Sequence, residues 1–67
     1  MSTEIGVAAG DVYRFLEAHG PATLGQVKKA TGHRDTLVHQ AMGWLAREDN
    51  VACEQQDRAL VWQLTRR

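Results

Sequence analysis

The sequence predicts a small α+β domain in which three helices precede a β-hairpin. Apolar residues recur with helical spacing in three segments, and the period changes to that of a strand after residue 50. Glycine, proline and capping residues separate the segments. The chain has 67 residues, 43% of them hydrophobic and 24% charged, which is typical of one globular domain. We therefore expect residues 1–67 to form a single domain.

The first helix is predicted from Ser2 to His19. Its apolar face has the i, i+3, i+4, i+7 spacing of a helix that packs on a core, and comprises Ile5, Ala8, Val12, Phe15 and Leu16. Gly20 and Pro21 end this helix, because glycine accepts the left-handed capping conformation and proline cannot continue the helix.

A second, short helix is predicted to begin at Thr23. Thr23 and Gln26 have the spacing of a capping box, in which each side chain accepts a hydrogen bond from a backbone N–H of the other residue. The inward-pointing residues are expected to be Leu24, Val27 and Ala30. Lys28 and Lys29 point outward, and Gly32 marks a tight turn.

The third helix is predicted from Arg34 or Asp35 to Glu48. An apolar stripe of Val38, Ala41, Met42 and Leu45 forms its inner face, with Leu37 and Trp44 on the flank. The opposite stripe has the same spacing but no large apolar group, and comprises Thr36, His39, Gln40, Gly43 and Arg47. This second stripe is expected to face outward.

The last part of the chain predicts two strands. Val51 and Cys53 alternate with Ala52 and Glu54, and a second run, Leu60, Trp62 and Leu64, alternates with Val61 and Gln63. Residues 55–58 form a polar link between the two runs. Residues 21–23 can lie beside this hairpin as a third short strand. Trp44 and Trp62 are expected to be core aromatics.

The element order α-β-α-α-β-β is that of a winged helix-turn-helix, a three-helix bundle with a C-terminal β-hairpin wing. Residues 41–48 read Ala-Met-Gly-Trp-Leu-Ala-Arg-Glu. Together with Gly20-Pro21, Thr23-Leu24 and Arg58-Ala59-Leu60, this run resembles a family of small bacterial stand-alone winged helix-turn-helix proteins of unknown function. The resemblance implies the fold, and DNA binding by analogy of fold.

The sequence departs from the family pattern at two places. His33 and Arg34 stand where the resemblance implies an apolar residue and a Ser-type cap. Asp57 replaces a small turn residue in the wing. The start of the third helix and the tip of the wing are therefore the parts least constrained by the resemblance.

Local charge is more informative than the total, since eight basic and eight acidic residues give no net charge. Residues 21–47 sum to +3 and residues 58–67 to +3, whereas residues 1–20 sum to −2 and residues 48–57 to −4. The basic part coincides with the helix-turn-helix. A protein that coats nucleic acid by overall charge is excluded, and any such binding must come from a local patch.

These observations favour a protein that binds duplex DNA through its third helix (about 35–48) and wing, as a transcriptional regulator would. The residues expected to contact phosphates are Lys28, Lys29, Arg34, Arg47 and Arg58. Those expected to read base edges are Thr36, His39 and Gln40. Such binding is expected to be weak and salt-sensitive. A homodimer that pairs through Val61 or Trp44 would double the contacts.

The alternative interpretation is a protein-protein interaction module that uses the winged-helix surface. The absence of net charge, the four acidic residues around the hairpin and Gly43 on an outer helix face all suit it.

An enzyme, a metal site and a cofactor are not expected. His19, His33, His39 and Cys53 lack the paired spacing of metal ligands, and no catalytic set stands out. The single cysteine is typical of a reducing compartment, and no stretch reaches the ~20 apolar residues of a membrane span. We therefore expect a cytoplasmic protein.

Overall fold

A computed structural model describes residues 3–65 of the chain. Within these residues the elements are α1 (Thr3–His19), β1 (Ala22–Thr23), α2 (Leu24–Thr31), α3 (Asp35–Arg47), β2 (Val51–Gln56) and β3 (Ala59–Leu64). The order confirms the predicted α+β winged helix-turn-helix. Ser2, the predicted start of the first helix, and the basic pair Arg66 and Arg67 lie outside the described residues.

Local motifs delimit α2 as the sequence predicts. The Thr23 N–H donates to Gln26 Oε1 at 2.8 Å, and the Gln26 N–H donates to Thr23 Oγ1 at 3.2 Å, which completes the capping box. At the other end Gly32 adopts a φ of +74°, and its N–H donates to the Lys28 carbonyl at 2.9 Å. Helix α2 is therefore capped at both ends.

The core lies mainly between α1 and α3. Its fully buried side chains include Val12 of α1, Val27 of α2, and Val38 and Met42 of α3. The remaining buried residues are Ala8, Ala9, Leu16, Ala22, Leu37, Ala41, Leu45 and Val51. No polar or charged residue among the described positions is buried. Burial of one face of α3 holds this helix in place and leaves its opposite face to solvent.

The expectation that Ala30 points inward is wrong, because Ala30 is exposed. The less exposed side of α2 runs through Leu24, Val27, Lys28 and Thr31. At 100° per residue, Ala30 lies on the other side of Val27 from these positions.

The three strands form an antiparallel sheet with the order β1-β3-β2. Ala22 pairs with Trp62, so the short strand after α1 does lie beside the hairpin, and Val51 pairs with Leu64. The predicted four-residue link is wrong: residues 55 and 56 belong to β2, and the turn consists of Asp57 and Arg58. Asp57 has a φ of 55°, which aspartate tolerates better than most residues.

The hairpin extends away from the helices, and residues 52–60 are exposed. Val51 reaches the core, but Cys53, two positions further along the same face, is exposed, so the predicted alternation with Val51 does not bury it. Val61 is half-buried, and Trp44 and Trp62 are half-buried side chains packed against the core rather than members of it.

Replacement of Trp62 by alanine tests how the wing is held. Because Trp62 is only half-buried, we expect the free energy of unfolding to fall by about 2 kcal/mol, less than the ~3–5 kcal/mol typical of a fully buried tryptophan. Leu60→Ala is the matched control, since Leu60 is on the same face of β3 but 55% exposed and should change the free energy by less than ~0.5 kcal/mol. Urea unfolding followed by circular dichroism measures both, and equal losses would contradict this account.

Candidate functional site

The outer face of α3 is a continuous exposed surface. Thr36, His39, Gln40, Gly43 and Arg47 are all exposed, as the sequence predicts. This follows from the burial of Val38, Ala41, Met42 and Leu45, which directs the opposite side of the helix to solvent. Helix α3 begins at Asp35, and Arg34 is its N-cap residue without a side-chain capping bond.

Two of the predicted cations have acidic partners that sequence reasoning missed. Lys28 Nζ contacts Asp35 Oδ1, which joins the last turn of α2 to the first turn of α3. The Lys28 ammonium beside Asp35 holds the pKa of that carboxyl below its ordinary value. Arg34 Nη2 lies 3.4 Å from Glu4 Oε2, and both side chains are about two-thirds exposed. Exposed pairs of this kind contribute little to stability, and they reduce the positive charge at the start of α3.

His33 binds α1 to the turn that precedes α3. Its Nε2 lies 2.9 Å from Asp11 Oδ2 and donates to that carboxylate, which also receives a bond from Arg14. The His33 hydrogen bond and then the Arg14 bond lower the pKa of Asp11. Because these bonds stabilise the ionised form of Asp11, they contribute to folding stability above the ordinary pKa of aspartate. This contribution to stability is lost as pH falls through the lowered pKa of Asp11. At position 33, where the family pattern implies an apolar residue, this chain thus has a histidine that is hydrogen-bonded to α1.

His39 is oriented by its own helix. Its Nδ1 lies 2.8 Å from the Asp35 carbonyl, and because a carbonyl only accepts, Nδ1 carries a proton. In the neutral ring Nε2 is then an acceptor, directed away from this internal bond.

Five predicted residues keep their full bonding capacity. Within residues 3–65 no internal hydrogen bond or ion pair engages the side chains of Lys29, Thr36, Gln40, Arg47 and Arg58. Thr36, Gln40 and Arg47 share the outer face of α3, Lys29 is on α2, and Arg58 is in the turn at the far end of the hairpin. An external ligand could bind these groups without breaking an internal bond.

Two shallow grooves border this surface. One, of about 450 Å³, lies between the N-terminal part of α1 and the α2–α3 turn and is lined by Thr3, Glu4, Val7, Gly32, His33, Arg34 and Leu37. The other, of about 340 Å³, lies on α3 itself and is lined by Ile5, Gln40, Gly43, Trp44 and Arg47. Sequence reasoning missed both, because each needs a side chain that α1 brings from a distant part of the chain.

Residues 3–65 contain neither a metal-binding cluster nor a membrane-spanning helix. No group of three His, Cys, Asp or Glu side chains there could hold a metal ion. No helix in this part of the chain is long and apolar enough to cross a membrane.

Comparison with known proteins identifies relatives of the chain and of its fold. The uncharacterized protein MJ1608 of Methanocaldococcus jannaschii is 38% identical over 64 residues, which cover 91% of this chain and 90% of that protein. This relative is archaeal, so the family extends beyond the bacteria that the resemblance implies.

Two solved structures share the fold at 22% sequence identity. The Zalpha domain of Carassius auratus PKZ, solved in complex with Z-DNA, has a TM-score of 0.80 and covers 96% of this chain and 100% of that one. The apo-Zalpha domain of zebrafish PKZ has a TM-score of 0.82, with coverage of 94% and 97%. A family model described as winged helix-turn-helix domain (DUF2582) matches residues 1–64. The chain therefore belongs to this winged helix-turn-helix family.

Proposed function

We propose that the protein binds duplex DNA with the outer face of α3 and with the wing. The observation that carries the proposal is the concentration of exposed hydrogen-bonding side chains on one face of one helix, which core packing on the opposite face holds rigidly. The major groove of right-handed DNA admits an α-helix, and its base edges present donors and acceptors to such a face.

The side chains divide into two roles in this proposal. Thr36, Gln40 and His39 carry the donors and acceptors that read base edges, and the amide of Gln40 suits adenine N6 and N7. The cations contact phosphates, which fixes the position of the protein on the duplex. They are Lys29, Arg47 and Arg58, joined by Lys28 and Arg34 when a phosphate displaces their acidic partners.

The structural comparison supports a nucleic-acid partner. One neighbour with this fold is in complex with Z-DNA, so the winged-helix scaffold can present a DNA-binding surface. We propose right-handed DNA for this chain, because its major groove admits an α-helix with an exposed polar face. Binding to left-handed DNA alone would keep the DNA proposal and overturn the assignment of Gln40 and His39 to base edges.

We further infer a weak binder that acts in transcription inside the cell, without catalysis. Few cations are available, and the acidic residues Glu48, Asp49, Glu54 and Asp57 at the hairpin repel phosphate. A homodimer would double the contacts and set a half-site spacing. Such regulation requires a specific site as well as general affinity, and the exposed polar face of α3 supports specific reading.

Protein binding is a second candidate function, favoured by one observation. Strand β2 is at the edge of the three-stranded sheet, and Leu60 on the neighbouring strand is 55% exposed. An extended segment of another protein could pair with such an edge. Failure to bind any duplex at low salt would favour this candidate over DNA binding.

Salt dependence tests the DNA proposal. With phosphate contacts from Lys29, Arg47 and Arg58, the plot of log K against log salt should have a slope of about −2.7, and affinity should fall ~40-fold from 50 to 200 mM salt. Fluorescence anisotropy with a labelled random-sequence duplex measures this slope.

Matched variants separate the two roles. Arg47→Ala should make the slope shallower by about 0.9, whereas Gln40→Ala should lower affinity and leave the slope unchanged. Arg14→Ala, which removes an exposed cation of α1, is the control. An unchanged slope in Arg47→Ala would contradict the assignment of this residue to phosphate.

Asp35→Asn tests whether the acidic partner limits binding. The substitution removes the negative charge that neutralises Lys28 and frees one cation for phosphate. We expect affinity to rise several-fold at 50 mM salt and the slope to steepen by about 0.9. Lys28→Ala should abolish this gain, as a double-mutant cycle can measure. Glu17→Gln on α1 removes the same charge elsewhere; if it produced an equal steepening, the effect would be general electrostatics and not the Lys28–Asp35 pair.

A further inference from the structure

The groove on α3 is lined in part by a residue without a side chain, Gly43. Gly43 lies in the middle of the exposed stripe of α3, and a Cβ built at this position would meet nothing within 4 Å. Its φ is not positive, so the backbone conformation does not require glycine either. Glycine is among the poorest helix formers. Since neither packing nor conformation within the described chain requires Gly43, the open space is available for a group from another molecule.

The walls and rim of this groove differ in chemistry. Ile5 of α1 and Trp44 of α3, both half-buried and packed against the core, form apolar walls. Gln40 and Arg47 are exposed at the rim, and neither side chain has an internal partner within residues 3–65. The site therefore suits a ligand that combines a small apolar group with hydrogen-bonding atoms and a negative charge nearby.

Thymine in duplex DNA has this combination of groups. Its C5-methyl group projects into the major groove, adenine offers N7 and N6 there for a side-chain amide, and phosphates border the groove. Gln40 and Gly43 are three residues apart, about 4.5 Å along the helix axis, close to the ~3.4 Å between successive nucleotides of one strand. An adenine at Gln40 and a thymine methyl at Gly43 therefore fit neighbouring base pairs.

We propose that this notch, defined by Ile5, Gly43 and Trp44, receives the C5-methyl group of a thymine, and that Gln40 binds an adenine of the adjacent base pair. The proposal rests on the proposed DNA binding and deepens it, because it names A·T steps as the sequence that α3 reads. Arg47 contacts the phosphate beside this step.

The test uses two polymers that differ by one methyl group per pyrimidine, alternating poly(dA-dT) and poly(dA-dU). We expect the wild-type protein to bind poly(dA-dT) about four-fold more tightly, the gain from burial of one methyl-sized group. Gly43→Leu should fill the notch and remove this preference, while its thermal midpoint shows that the variant is folded. Ala18→Leu, which adds the same side chain at an exposed position of α1, should keep the preference.

The outcomes separate the two proposals. Equal wild-type affinity for both polymers, with salt-dependent binding intact, would overturn the thymine site and leave DNA binding standing. A preference that persists in Gly43→Leu would also overturn the site, since the methyl group would then be sensed elsewhere. Binding to neither polymer nor to a random duplex at low salt would overturn both proposals and leave the notch to an apolar side chain of a protein partner.

Discussion

The packing of α3 on α1 is the constraint on which the rest of the molecule depends. Helices α1 and α3 are in contact, and Val38, Ala41 and Met42 of α3 are buried in the core. Helix α3 can therefore neither rotate nor expose this face without loss of the core. The same packing presents the polar stripe of α3 to solvent and brings Ile5 to the edge of that stripe. The surface proposed to bind DNA is therefore a direct consequence of the hydrophobic core.

Some cations at this surface are neutralised by carboxylates, and others are not. Lys28 and Arg34 are each held by a carboxylate, whereas Lys29, Arg47 and Arg58 have no such partner in the described part of the chain. Two partnered and three unpartnered cations are consistent with the proposal that a chain without net charge binds phosphate weakly through this face. The acidic partners act mainly at the start of α3, where they neutralise two of the five cations.

Features encoded by neighbouring residues could be predicted from the sequence. The capping box of Thr23 and Gln26, the left-handed Gly32 and the two faces of α3 all depend on residues within a few turns. The pairs Arg34–Glu4 and His33–Asp11 could not, because they join residues 30 and 22 positions apart. Alternation also predicts too much burial along the strands, because it identifies the faces of a hairpin but not how far the hairpin extends beyond the core.

The measurement that tests the account most directly is a titration of 15N-labelled protein with a random-sequence duplex, followed by NMR at low and at physiological salt. We expect shifts at Thr36, His39, Gln40, Gly43 and Arg47 and at the Arg58 turn, and we expect these shifts to fade as salt rises. Shifts on the far side of α1, or no shifts at low salt, would contradict the claim that the outer face of α3 binds DNA.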